Sequence, residues 1–214
     1  GTSIVAPIVG AAFQFAATGD ELAKMSQRTG MTAEALSELR HAAGQSDLAF
    51  EDMGKAVTKS QQLIDSAIGG NQGNIDKLAK LGLTAESLAG MTPDQQLEVF
   101  ADRLAAIDDP ATRASRAIEI FGEDGRKMLP MLADGADGIA NLRAEARALG
   151  LQMSTEDANA AAALGDAWSR LTKSANMIVT RIGGAVAPAL QFVMDLITPL
   201  AAATSKWIDQ NRGL

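Results

Sequence analysis

Residues 80–91 read KLGLTAESLAGM, and residues 28–39, fifty-two positions earlier, read RTGMTAEALSEL. Both write a helix stop followed at once by a helix start. Gly30 and Gly82 can take the left-handed conformation that ends a helix. The apolar residue after each, Met31 or Leu83, can fold back onto the finished turn. Thr32 and Thr84 then stand at the next cap, with Glu34 and Glu86 near the positive end of the helix that follows. A looser copy, ALGLQMSTEDANA at 148–160, offers Ser154 or Thr155 as its cap. A chain that keeps writing this corner is predicted to be a series of helices joined by short, similar turns.

Composition supports an all-α fold. Aromatic residues make up only 4 % of the 214 positions and tyrosine is absent, so Ala, Leu, Met and Gly carry the apolar content. That mix packs helices closely on small side chains, and almost no run alternates as a strand would. The 19 Lys and Arg are dispersed in a chain of net charge −7, without the concentrated basic face of a sequence-specific DNA or RNA binder. With no cysteine, disulfides and thiol chemistry are excluded, which says little about compartment. The opening GTSIVAPIVG lacks Met and a basic start, so the sequence reads as a piece of something longer.

Along the chain, 4–30 reads as the tail of a preceding helix, apolar first and amphipathic later, with Pro7 near its start or at a break. Residues 33–43 follow, with Leu36, Leu39 and Ala43 on one face, then 50–68, with Phe50, Met53, Val57, Ile64 and Ala67 on another. GGNQGN at 69–74 breaks the pattern and is expected to be a flexible hinge. A helix over 75–81 precedes the repeated corner. The segment 91–122 is the clearest hairpin: Thr92 caps, Pro93 opens the helix, Gln95 completes a capping box, and Asp109-Pro110 repeats the device. Leu97, Phe100, Leu104 and Ile107 form the buried stripe of its first helix, and Ala114, Ile118 and Phe121 that of its second. A Gly-rich connection around a short apolar helix spans 121–138, and a further helix spans 139–149.

From 156 to 183 a long helix carries Leu164, Trp168, Leu171, Ala175, Ile178 and Ile182 at alternating three- and four-residue steps. That is a heptad-like seam, suited to self-association in a coiled coil or to packing within its own chain. Gly183-Gly184 and Pro188 break it, and AVAPALQFVMDLITPLAAA at 185–203 is then mostly apolar. This segment is long enough to cross a bilayer. Gln191, Asp195, two prolines and the stripe Leu190, Val193, Ile197 and Leu200 speak for a helix packed in a bundle or oligomer core. The chain thus divides into a helical segment (1–68), a hinge (69–74), a compact helical module (75–149), and a long amphipathic helix with an apolar C-terminal helix (150–214).

No catalytic, metal or cofactor site is legible. His41 is the sole histidine, so HExxH, Ser-His-Asp and Cys-His sets cannot be assembled, and it reads as a surface or half-buried residue beside Arg40. DGADG (134–138) and GEDG (122–125) lack the twelve-residue spacing of a calcium loop and read as turns. GGNQGN lacks the Lys-Ser/Thr ending and preceding strand of a phosphate loop. Acidic neighbours such as Asp108-Asp109 and Glu123-Asp124 are not an acid–base pair by adjacency alone. The chain is expected not to be an enzyme.

An ordered set of phrases carries a family likeness: GDELAKMSQRTGMTAEALSELRHAA, then KLGLTAESLAGMTPDQQLEVFADRLAAIDDPATRASRAIEIFGEDGRKMLPML, ADGADGIANLRAEARALG and AAALGDAWSRLTKSANMIVTRIGGAVAPAL. Over roughly residues 18–200 the chain resembles the tail tape measure proteins of long-tailed bacteriophages and prophages. The resemblance implies a helical scaffold made in the bacterial host cytoplasm and housed in the lumen of the virion tail. It would set tail length, nucleate tube assembly and leave ahead of the DNA on ejection. Implied partners are the tail tube protein, tail assembly chaperones, tail tip proteins and further copies of itself, commonly three. A second reading makes 185–203 a membrane-active segment that helps the genome pass the host inner membrane. A pure ruler would be an uninterrupted helix, whereas Gly, Pro and cap residues break this one every ten to twenty positions, as in a compactable module.

Overall fold

A computed structural model describes the backbone of residues 5–182 and the side chains of residues 10–174. Among the described residues there are helices and turns and no strand, so the all-α expectation holds. In chain order the helices are α1 (Val5–Thr29), α2 (Ala33–Gln45), α3 (Phe50–Ile68), α4 (Gln72–Ala79), α5 (Ala85–Leu88), α6 (Pro93–Ala105), α7 (Pro110–Phe121), α8 (Gly125–Met128), α9 (Gly135–Ala148) and α10 (Thr155–Ile182).

The corners form as their residues dictate. Gly30, Gly82 and Gly150 all have positive φ, at 69°, 66° and 68°. After α4 the N–H of Leu83 donates to the Leu78 carbonyl and that of Gly82 to Ala79; after α9, Leu151 donates to Ala146 and Gly150 to Arg147. These paired bonds satisfy carbonyls that the helix end leaves free. The first corner is simpler, with Gly30 N–H donating to Ser26 and the Thr29 hydroxyl to Met25. Met31 and Leu83 are buried, as the fold-back requires. Thr32 Oγ1 then accepts from Ala35 N–H and Thr84 Oγ1 from Ser87 N–H. At the third corner the cap is Ser154, whose Oγ accepts from Asp157 N–H. In the hairpin, Gln95 Oε1 accepts from Thr92 N–H while the Thr92 hydroxyl turns to Asp94, and Asp109 Oδ2 accepts from Thr112 N–H.

The segment 69–74 forms another corner. Gly70 has φ 86°, Asn71 N–H donates to the Ser66 carbonyl, and Asn71 Oδ1 accepts from Asn74 N–H, so α4 begins at Gln72 and not at 75. Asp47, at φ 53°, ends α2 in the same way without a glycine. The expected division at 69–74 therefore does not divide the core. Ile64 and Ala67 before it and Leu78 after it share one apolar cluster, and Glu21–Ala158 packs as one unit.

The unit is built round α3, which packs against α2, α4, α5, α6, α7 and α8. Phe50, Met53, Ala56, Val57, Leu63, Ile64 and Ala67 are buried, including all five residues of the expected stripe. Leu97, Phe100 and Leu104 of α6 are buried as expected and Ile107 is half-buried. The Phe100 and Phe121 rings meet edge to face at 5.6 Å. On α7 Phe121 is buried as expected and Ala114 is half-buried, but Ile118 is exposed and Ala117 and Ile120 are buried in its place. Helix α9 starts at Gly135 and not at 139, because Asp102 of α6 accepts from Ala136 N–H and caps it from 34 residues away.

The second unit comprises Gly1–Asp20 and Asn159–Leu214. Within it Phe13 meets Trp168 edge to face at 4.8 Å, and the close neighbours Ala16 and Gly165 are both small. Leu164, Trp168 and Leu171 are half-buried. The side chains of Ala175, Ile178 and Ile182, and the whole stripe Leu190, Val193, Ile197 and Leu200, lie outside the described residues.

Two glycines separate conformation from space. Gly82 has a positive φ and nothing within 4 Å of an added Cβ, whereas a Cβ on Gly125 would lie 2.2 Å from the Ala117 carbonyl oxygen. Gly82→Ala is expected to cost about 1 kcal/mol, the left-handed penalty alone. Gly125→Ala should cost about 3 kcal/mol or more, since backbone must move. Urea unfolding of the two variants checks the order.

Candidate functional site

The largest grouping of charged side chains in the 21–158 unit lies where α2, α6 and α9 meet, and Glu38 is its centre. Glu38 stands on α2 between the buried Leu36 and Leu39, a position that takes it out of water: its side chain is only 3 % exposed. A carboxylate buried to that degree must be paired and hydrogen-bonded. Oε2 accepts from Arg143 Nε at 2.8 Å and faces Arg147 Nη1 at 2.9 Å, and Oε1 accepts from Gln152 Nε2 at 2.7 Å. Arg143 and Arg147 are four apart on α9 and so share a face. Arg143 continues onto α6, where its Nη1 donates to Glu98 at 2.8 Å and to Asp94 at 3.3 Å.

The electrostatics follow from this geometry. Burial pushes the Glu38 carboxyl up, but hydrogen bonds and charge from Arg143 and Arg147 outweigh it and hold the group below its ordinary 4.5. Burial likewise works against the Arg143 cation, and Glu38, Asp94 and Glu98 more than restore it. Beside this cluster Glu34 receives Thr155 N–H at 2.7 Å and the Thr155 hydroxyl at 2.9 Å. Its own backbone N–H, then Thr155 and Thr32, outweigh a modest burial and hold its carboxyl low. Met153 N–H donates to Ser37 Oγ at 3.0 Å, so the third corner is tied to α2 at three successive places.

Carboxylates held ionised and occupied by donors are fastenings, not proton shuttles. His41 sits next to the cluster with its side chain 12 % exposed and its Nε2 3.6 Å from Glu145, a half-buried placement in line with the sequence. Among the described residues no group of three or more His, Asp or Glu side chains is arranged to hold a metal ion. An open cleft of about 310 Å³ lies elsewhere in the unit, bordered by Thr29, Gly30, Gln61, Asp65 and Gln96. There Gln61 Nε2 donates to the Thr29 carbonyl, and the Gln96 amide donates to Leu88 and Met91 while its Oε1 is buried without a partner. Gln61 thus ties the first corner to α3, and Gln96 ties the end of α5 to α6.

Sequence reading missed this cluster. Glu38 and Arg143 are 105 residues apart, and the only local signs are the Arg143/Arg147 and Glu34/Glu38 pairs at helical spacing. Among the described residues no helix is long and apolar enough to cross a membrane.

Because Glu38 binds a proton more weakly folded than unfolded, its contribution is complete above its ordinary value of 4.5 and is lost as the pH falls below it. Glu38→Gln, which leaves Arg143 and Arg147 without their shared carboxylate, is expected to cost about 3 kcal/mol at pH 7. The variant should also lose stability less steeply than the parent between pH 4.5 and 3. Urea unfolding across that range tests both.

No protein-family model, no characterised protein sequence and no solved structure matches this chain.

Proposed function

We propose that the chain is a structural segment of a tail tape measure protein of a long-tailed phage or prophage. The observation that carries the reading is the agreement between the resembling phrases and the units of the fold. The first phrase (19–43) runs through the end of α1, its corner and most of α2. The second (80–132) runs from the corner after α4 to just past α8, and the third (133–150) is α9 with its closing glycine. Phrases that coincide with helix-and-corner units belong to a protein assembled from such units in a fixed order.

The chain then acts by packing and self-association, with tube, chaperone and tip proteins as its partners in the tail. In-frame removal of its codons from the parent gene is expected to shorten tails by about 320 Å where the segment is drawn out as continuous helix at about 1.5 Å per residue. Electron microscopy reads the length. Tails of unchanged length would make the segment a compact module within the same protein, and purified virions without any peptide of this chain would sink the reading.

Copies associate through the seam on α10, where Trp168 and Leu171 are half-buried and Phe13 and Phe15 of α1 are 44 % and 41 % exposed. Leu171→Glu combined with Ile178→Glu is expected to bring the particle mass in solution down to that of one chain. A parent protein already monomeric by light scattering would leave the seam to packing within its own chain.

A further inference from the structure

Helix α9 is long for the apolar surface it buries. Of its fourteen residues only Gly135, Ile139 and Ala146 are buried, and of these only Ile139 joins the apolar cluster, with Leu142 packed against it half-buried. Two fully buried apolar side chains are few for holding four turns of helix in place.

Polar contacts supply the rest, at 136 and then from 143 to 155. Asp102 caps Ala136, Arg143 reaches Glu38, Asp94 and Glu98, and Arg147 reaches Glu38. Past the corner Gln152, Met153 and Thr155 are held by Glu38, Ser37 and Glu34. All these fastenings run to α2 or α6, whose own apolar residues are buried in the common core. The balance is opposite to that of α3, which is held by its apolar stripe.

We infer that residues 135–158 form a strap, fastened by charge to the α2–α6 face, that peels open from its C-terminal end while the α2–α8 bundle stays folded. The chain leaves the strap through Thr155, so a pull transmitted along α10 loads the Glu34 fastening first and the Arg143 fastening after it. The contacts separate in sequence, as in peeling, and not all at once. The segment between Asp134 and α10 can therefore pay out with only Ile139, Leu142, Met153 and Ala158 withdrawn from the apolar cluster. The strap concerns this chain alone, so its failure would leave the tail reading standing.

Hydrogen exchange of the full chain, read by mass spectrometry, tests the inference. In Arg143→Gln, amides of 139–147 and 151–155 are expected to exchange at least tenfold faster, while peptides from α3 and α7 keep their parent rates. Glu34→Ala, at the exposed end, should speed only the amides from Met153 to Ala158. It also carries the test if Arg143→Gln does not fold. An equal acceleration in every helix of either folded variant overturns the strap, because α9 would then open only with the whole unit. Unchanged protection of α9 in folded Arg143→Gln overturns it as well, as does a Glu34→Ala variant whose corner amides exchange at the parent rate.

Discussion

Everything in the 21–158 unit depends on burying α3. Helices of four to nineteen residues, as α2 to α8 are, do not persist alone in water, so each has to find its stability against a neighbour. α3 is that neighbour for most of them, and its buried positions extend round much of the cylinder because it is covered on several sides. With so few aromatic residues, close approach replaces bulk. Ala43, Ala56, Ala67 and Ala117 are all buried, Gly54 lies directly under the Met25 thioether, and Gly125 sits against the Ala117 backbone. At Gly125 such packing tolerates little added volume, since the atom a side chain would meet is backbone.

Charge takes over where apolar surface runs short. The chain is acidic, yet two of its arginines are gathered at one junction, where they neutralise a carboxylate that α2 carries out of water. An ion pair of this kind contributes less to net stability than to specificity, because a wrong docking of α9 would strand Glu38 without a partner. The cluster thus sets the register of α9 on α2 and α6 as much as it holds the helix there.

What was legible in the sequence was local. A helix stop written as Gly-apolar, with a Thr or Ser cap one to three residues on, is complete within six residues, so the corners at 30, 82 and 150 could be read from spacing alone. The apolar stripes of α2, α3 and α6 were readable for the same reason. Features that depend on a distant partner were not. The start of α9 is set by Asp102 and the start of α10 is reinforced by Glu34, neither of which is near in sequence. On α7 both Ile118 and Ile120 were available, and only the position of α3 decides which faces inward. The start of α4 at Gln72 was not readable because glycine and asparagine serve equally as loop residues and as the two halves of a stop-and-start corner.

The open space round Gly82 and Gly150 has a consequence of its own. No neighbouring atom lies within 4 Å of either missing Cβ, so these corners reject an ordinary side chain for its handedness and not for its size. A mirror-image residue has the opposite preference. D-alanine placed at either position by chemical synthesis would favour the backbone angles of this turn, and it would restrict the unfolded chain more than glycine does. The joints between these helices are chiral locks, and their natural key is the one amino acid with no hand.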